Sequence, residues 1–222
     1  VLPIHAGPEI GVASTKAFLG QMLVLYILCL KISKIRKDID DSKYQDSIKN
    51  LKNLPSAIKE SLKVENNIQA MAKEFLDAKG SMFLGRGFSF PIALEGALKL
   101  KELSYLHAEG YPAGEMKHGP LALIEEGLPV IVIAPKDKYF EKTLSNMQEV
   151  IARGGKILFI TDHKKQLINE NIRFGIRVPT VDNLLSPILL TIPIQLLAYH
   201  VALLKGCDID KPRNLAKSVT VE

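Results

Sequence analysis

SMFLGRGFSFPIALEGALKLKELSYLH, residues 81–107, is the stretch that decides the fold class of this chain. It begins with a short β-rich run, turns at Gly85-Arg86-Gly87 and continues into a helical pattern over residues 90–103. The glycines permit a tight strand-to-helix turn and let a ligand approach the backbone amides at the positive end of the helix. The stretch therefore predicts a strand, a turn and a helix, but a lone GxG turn is weak evidence of a ligand site.

Short β-rich runs and helical segments alternate through the following sequence. The runs are PVIVIA (129–134), KILFIT (156–161) and FGIRV (174–178), and helical segments lie near residues 139–153 and 184–205. Unbroken apolar runs such as PVIVIA are typical of strands that are buried on both faces. The alternation predicts an α/β fold with a parallel sheet covered by helices on both faces, in which ligands bind at the carboxyl ends of the strands.

Three predicted helices precede the first strand, over residues 14–35, 44–62 and 66–78. A later segment, residues 184–204, is apolar enough to raise the question of a membrane span. Two prolines and several polar residues interrupt it, so we predict a buried core helix and no membrane contact.

Charge and cysteine content argue against nucleic-acid binding and against a zinc site. The 222 residues carry a formal net charge of +5, and the basic residues are interleaved with acidic ones. This pattern favours solvated helix faces over nucleic-acid binding. Cys29 and Cys207 lie in or beside apolar helical patterns and lack the spacing of a zinc site. We expect buried thiols in a reducing compartment, hence a cytoplasmic protein, and no metal.

Glu95, Lys99 and Glu102 lie four and three residues apart, along one stripe of the predicted helix. Alternating charges on a helix stripe are typical of a solvent-exposed face. The same residue types also transfer protons when they lie in a site. The spacing alone leaves both interpretations open.

The helix is followed by HAEGYPAGEMKHGP, residues 107–120, which contains three glycines, two prolines, two histidines and two glutamates. This composition predicts an irregular loop rather than regular secondary structure, and its titratable groups are typical of a site. A histidine such as His118 can instead simply form a hydrogen bond to the backbone, and the residue pattern alone favours that interpretation.

Three blocks carry a resemblance to a known family: residues 91–124, AGPEIGVASTKAF (6–18) and KPRNLAKSVTVE (211–222). They resemble the isomerase domain of the glucosamine-6-phosphate synthase family, the glutamine-dependent fructose-6-phosphate aminotransferases. The resemblance implies sugar isomerase (SIS) subdomains, each a flavodoxin-like three-layer αβα sandwich with a parallel sheet.

The resemblance also implies a domain organisation. Residues 1–36 would be the C-terminal end of a first SIS subdomain, residues 37–205 the second, and residues 206–222 an active-site tail. The glutaminase domain and most of the first SIS subdomain, with its phosphate-binding loops, would be missing from this sequence. We therefore expect the chain alone to be inactive.

The resemblance assigns three catalytic positions, and the spacing of Lys99 from Glu102 adds a fourth candidate. Lys217 matches the lysine that forms a Schiff base with open-chain fructose 6-phosphate, and Glu102 matches the base that moves a proton between C1 and C2. Lys99 would tune or relay charge beside Glu102, or serve only as its ion-pair partner. His118 matches the residue that opens the sugar ring, which the family supplies from the neighbouring subunit of a homodimer. The product would be glucosamine 6-phosphate.

Val12, Ser14 and Ala216 match positions that contact the sugar through backbone or hydroxyl groups. Ser14 has a second interpretation as the N-cap of the first helix, and both roles could coexist. The resemblance implies no cofactor. The alternative function is a non-catalytic SIS module that binds phosphosugars for regulation, and a third possibility is a structural dimerisation fragment. A regulatory module does not need Glu102, His118 and Lys217 together.

Overall fold

The computed structural model describes residues 1–163 and 172–217. In those ranges the helices are α1 (Lys16–Ile35), α2 (Asp41–Ser61), α3 (Glu65–Ala72), α4 (Ser89–Ser104), α5 (Phe140–Ile151) and α6 (Ser186–Leu204). The strands are β1 (Gly80–Gly85), β2 (His107–Pro112), β3 (Pro129–Ile133), β4 (Lys156–Thr161) and β5 (Ile172–Arg177). Short 3-10 helices occupy residues 62–64, 73–75, 113–118 and 120–123.

The five strands form one parallel sheet in the order β2-β1-β3-β4-β5. This is the strand order of flavodoxin-like sheets, in which the direction of strand addition reverses beside β1. The predicted α/β class and the parallel sheet are confirmed, and the four predicted strands lie within two residues of their predicted positions. The third predicted helix ends early, because the chain tightens into a 3-10 turn after Ala72.

The first half of the segment 107–120 is a strand, so the prediction of an irregular loop there is wrong. Residues 107–112 form β2, which pairs with β1 from Gly80↔His107 to Gly85↔Pro112. β2 lies at the edge of this sheet, and an edge strand tolerates the polar residues and the glycine that central strands avoid. Gly110 allows α4 to approach closely, since a Cβ there would lie 2.8 Å from the Leu94 Cα.

The core has two layers because successive strand residues point to opposite faces of the sheet. On one face Phe83 and Ile131 pack with α3, α4 and α6. On the other face Met82 and Val130 pack with α5, for example with Met147. The fold is therefore a three-layer αβα sandwich, as the resemblance implied.

Helices α1 and α6 are each long and apolar enough to cross a membrane, but they differ in burial. Leu189 and Val201 of α6 are fully buried, and the prediction of a buried core helix is confirmed. Helix α1 instead exposes Leu25, Ile32 and Ile35. Its apolar surface is thus largely uncovered by the described residues.

Cys29 lies on the exposed side of α1, so the prediction that both thiols are buried is wrong for this residue. Cys207 is partly buried beyond the end of α6. The apolar spacing of α1 predicts that one face of the helix is covered. Spacing does not identify the segment that covers this face, or whether that segment belongs to the same chain.

The glycine at position 96 yields a first prediction, because it lets α4 pack against β1 and α6. A Cβ there would lie 2.6 Å from the Ile194 Cγ2 and 2.7 Å from the Phe83 Cδ1, both of which belong to buried side chains. Gly96→Ala should lower the free energy of unfolding by about 1–3 kcal/mol through overpacking, measured by urea denaturation. The matched control is Gly80→Ala, whose Cβ meets its nearest neighbour at 3.4 Å. Equal losses in both variants would contradict tight packing at Gly96.

Candidate active site

The charged stripe of α4 points into the protein and not to solvent. The Lys99 side chain is 4 % exposed, and its Nζ lies 2.5 Å from Glu102 Oε2 and 3.6 Å from Glu95 Oε1. Helix α4 packs on the sheet and on α6. The exposed-face interpretation is therefore wrong, and one buried ammonium is shared by two carboxylates.

The two carboxylates have different environments. Burial raises the pKa of Glu95 above the usual 4.5, with Lys99 acting against this shift and the Glu102 charge adding to it. The Oε1 atom of Glu95 is buried and makes no hydrogen bond to any described residue. Glu102 is the more exposed of the two, at 22 %. It can therefore reach a ligand while Lys99 holds it in place, which suits a general base.

The two ends of the described chain meet beside α4. The Val12 amide donates to the Asp210 carbonyl oxygen at 2.9 Å. Further along the tail, the Lys217 Nζ donates to the Val12 carbonyl oxygen at 3.2 Å and lies 3.7 Å from Glu9 Oε2. The predicted site residues Val12 and Lys217 are thus in direct contact, although they are far apart in sequence.

Glu9 is a site residue that the sequence patterns did not reveal. Its side chain is 12 % exposed, and its Oε1 accepts hydrogen bonds from the amides of Thr15 at 2.9 Å and Ala17 at 3.1 Å. Burial alone would raise the pKa of Glu9, but these bonds, the Ser14 side chain and the Lys217 charge lower it below the usual 4.5. The group is therefore held as a carboxylate beside the Lys217 amine.

Ser14 is not the N-cap of α1, so that interpretation is wrong. Helix α1 begins at Lys16 and Thr15 occupies the cap position, without a capping bond from its own side chain. Glu9 caps the helix from outside instead, through the bonds to Thr15 and Ala17. Ser14 is half-buried and close enough to lower the Glu9 pKa, whereas Ala216 is exposed beside Lys217.

A cleft of about 320 Å³ opens where these elements meet. Its walls come from the N-terminal segment, the end of α4, helix α6 and the start of the tail. Glu9 lines it together with Leu103, which is the neighbour of Glu102, and with Gln195 and Asp210. The Gln195 Nε2 also donates to the Thr15 carbonyl oxygen at 3.3 Å.

His118 and Glu102 lie near opposite ends of the strands. Strands β1 and β2 are parallel and begin side by side. The last turn of α4 therefore lies near the amino ends of both strands, whereas residues 113–118 follow their carboxyl ends. His118 is 76 % exposed, with Glu115 at 3.8 Å. The adjacent Lys117 binds Glu149 at 3.0 Å, which ties this segment to α5. Within one chain, His118 and Glu102 are not brought together.

The Gly85-Arg86-Gly87 turn lies at the carboxyl end of β1, as predicted. Gly85 packs on the first turn of α4, because a Cβ there would lie 2.2 Å from the Ser89 carbonyl oxygen. The Arg86 Nη1 donates to Asn146 Oδ1 of α5 at 2.9 Å. The close approach of strand and helix therefore accounts for Gly85 without a ligand.

Comparison with known proteins places this fold in a family. The family model for the SIS domain matches residues 74–205. The chain belongs to the SIS domain family. This match covers β1 to α6, and therefore the whole sheet and the helices α4, α5 and α6.

Relatives of this SIS domain protein are glutamine--fructose-6-phosphate aminotransferases (isomerizing). The chain is 53 % identical over 223 residues to the one from Bartonella henselae and 54 % identical over 224 residues to the one from Agrobacterium fabrum. Each alignment covers 100 % of this chain but 37 % of the relative, so the chain spans about a third of these proteins, in their C-terminal part.

Solved structures give the same result for the fold. The C-terminal domain of glucosamine-fructose-6-phosphate aminotransferase from Francisella tularensis matches with a TM-score of 0.90 and 45 % identity, over 94 % of this chain and 59 % of that one. A glucosamine-6-phosphate deaminase from Thermotoga maritima matches with a TM-score of 0.71 and 27 % identity, over 96 % of this chain and 59 % of that one. The predicted resemblance is confirmed.

Glu9 yields a second prediction, on pH dependence. A carboxyl whose pKa is lowered by folding stabilises the protein above its unfolded pKa, and this contribution is lost as the pH falls through the folded pKa. Glu9→Gln keeps an acceptor oxygen but not the charge. It should flatten the acid-induced loss of unfolding free energy below about pH 4.5, measured by urea denaturation at several pH values.

The control for this prediction is Glu60→Gln, which removes an exposed carboxylate paired with Lys63. Exposed pairs contribute little to stability, so the acid profile should match that of the wild-type chain. An unchanged profile for Glu9→Gln would contradict the lowered Glu9 pKa.

Proposed function

We propose that this chain is the isomerase part of an enzyme that makes glucosamine 6-phosphate from fructose 6-phosphate and glutamine-derived ammonia in the cytoplasm. The observation that carries the proposal is the position of Lys217, which is held by Val12 and Glu9 beside the cleft that the end of α4 lines. The names of the close relatives support the same activity.

Lys217 is the proposed nucleophile. Its amine adds to the C2 carbonyl of the open-chain ketose, and loss of water leaves a Schiff base. A lysine must lose a proton before it can attack, and partial desolvation beside other groups promotes this. Glu9 and the Val12 carbonyl oxygen hold the Lys217 ammonium in the free protein, so substrate binding has to replace these contacts.

Glu102 is the proposed base for the isomerisation step. Ammonia first displaces the Lys217 amine from C2, which leaves the imine of the sugar and the free lysine. Glu102 then removes a proton from C1 and returns it to C2, so that the C1 hydroxyl becomes the aldehyde and C2 keeps the amine. A general base of this kind contributes typically 10²–10⁴-fold to the rate. Lys99, at 2.5 Å, stabilises the Glu102 carboxylate and keeps its orientation. Val12, Ser14 and Ala216 are the proposed sugar contacts of this chain.

His118 is proposed to open the sugar ring in the active site of a partner subunit. This proposal is supported by the position of His118, which is exposed and lies near the opposite ends of the strands from Glu102. A histidine donates and accepts protons near neutral pH, as ring opening requires. The working enzyme is then at least a homodimer.

The proposed domain organisation places residues 1–36 in a first SIS subdomain, residues 37–205 in a second and residues 206–222 in the active-site tail. The exposed apolar side chains of α1, which include Leu25 and Ile35, support the first assignment, since such a surface needs a cover. The glutaminase domain and the rest of the first subdomain would complete the enzyme. The chain alone is then expected to be inactive.

The roles of Lys217 and Glu102 lead to a third prediction, tested in the full-length protein. Lys217→Ala and Glu102→Gln should each lower ammonia-dependent formation of glucosamine 6-phosphate by at least about 100-fold. Lys211→Ala, which removes a neighbouring tail lysine, is the matched control and should retain turnover. A protein that binds fructose 6-phosphate but shows no turnover would instead indicate the regulatory alternative, and full turnover in Glu102→Gln would exclude the proposed mechanism.

The proposed exchange of His118 between subunits leads to a fourth prediction. Dimers of Glu102→Gln and of His118→Asn should each be nearly inactive. After the two are mixed and allowed to exchange subunits, each mixed dimer contains one site with both native groups, so about a quarter of wild-type activity should return. Mixing Glu102→Gln with Lys217→Ala is the control, because both residues belong to the same site and no site is restored. No recovery in the first mixture would place His118 in its own subunit's site.

A further inference from the structure

The C-terminal tail crosses the end of α4 on its way to Lys217. The Arg213 amide donates to the Tyr105 hydroxyl oxygen at 2.8 Å. The guanidinium carbon of Arg213 also lies 4.2 Å from the centre of the Tyr105 ring, a cation–π contact. One aromatic side chain therefore holds both the backbone and the side chain of the same tail residue.

We propose that Tyr105 is a positioning residue that latches the tail at Arg213 and thereby places Lys217. The inference rests on the proposed function, in which Lys217 is the nucleophile. Tyr105 lies three residues after Glu102, directly at the end of the same helix. The latch therefore connects the helix that carries the base to the segment that carries the amine.

The backbone of Tyr105 is unusual for its residue type. It caps the C-terminus of α4 in the left-handed conformation, with φ of 60°, and its amide donates to the Lys101 carbonyl oxygen. Glycine and asparagine favour this position, whereas a bulky side chain is strained there. A tyrosine at this site makes the contacts to Arg213 that glycine or asparagine cannot make.

The latch lies between two other anchors of the tail. Asp208 Oδ1 accepts hydrogen bonds from the Asp210 and Lys211 amides at 2.9 Å each, and the Asp210 carbonyl oxygen accepts from Val12. Lys217 binds Val12 at the other end. Without the Arg213 contact, the irregular span between these anchors would have more freedom. If the Lys217 amine were displaced by about 1 Å from its reactive position, the rate of the catalysed reaction would fall by a large factor.

Two substitutions separate the latch from the helix cap. Tyr105→Phe removes the hydroxyl but keeps the ring. Tyr105→Asn removes both contacts and suits the left-handed backbone, so the cap and the melting temperature should be preserved. The matched control is Tyr44→Phe, which removes a hydroxyl from another ring that faces a lysine, with Lys34 at 5.6 Å.

The first measurement is limited tryptic cleavage of the full-length protein after Arg213. Loss of one hydrogen bond should raise the cleavage rate about fivefold in Tyr105→Phe, and more in Tyr105→Asn, with no change in Tyr44→Phe. Equal cleavage rates in all four proteins would overturn the latch. This readout does not depend on any enzymatic activity.

The second measurement is ammonia-dependent formation of glucosamine 6-phosphate by the same proteins. Tyr105→Phe should lower kcat about fivefold with KM little changed and the melting temperature preserved, and Tyr105→Asn should lower kcat further. Faster cleavage with unchanged kcat would overturn the positioning role. If the wild-type protein made no product, the proposed function would be wrong, whereas faster cleavage of Tyr105→Phe would still support the latch.

Discussion

The buried Lys99 ammonium is the constraint on which the candidate site depends. A charge removed from water is costly unless it is paired, and Lys99 satisfies this requirement with Glu102 at 2.5 Å and Glu95 at 3.6 Å on its own helix. Their spacing of three and four residues brings the three side chains together on one helix. This helix packs against the sheet and α6, where Gly96 allows close contact. The position of Glu102, the proposed base, therefore depends on the packing of the core.

Contacts between distant parts of the chain bring the remaining groups to this helix. Glu9 and Val12 hold Lys217, the Asp210 carbonyl oxygen binds Val12, and Tyr105 binds the tail at Arg213. These bonds join the first residues, the middle helix and the tail into one cleft. Residues 113–118 follow the carboxyl ends of β1 and β2, away from Glu102, and this separation is the reason we propose that a second copy supplies His118.

Regular periodicity predicted most of the fold, and long-range packing accounts for what it missed. The apolar runs predicted four strands, but β2 was missed because an edge strand tolerates glycine and polar residues. The spacing of Glu95, Lys99 and Glu102 predicted one stripe and not its burial, because burial depends on how the helix packs in the fold. Glu9 caps α1 from six residues before Thr15, and no local pattern announces such a cap. The residue roles came from the family resemblance, whereas the contact between Val12 and Lys217 came from the structure.

Chemical trapping of the Schiff base tests the central claim most directly. The full-length protein would be incubated with fructose 6-phosphate, reduced with borohydride and mapped by peptide mass spectrometry. The account predicts a hexitol phosphate bound to the Nζ of Lys217, at a level that falls sharply when substrate is omitted. Labelling of another lysine, or an unlabelled Lys217 in a protein that turns over, would contradict it.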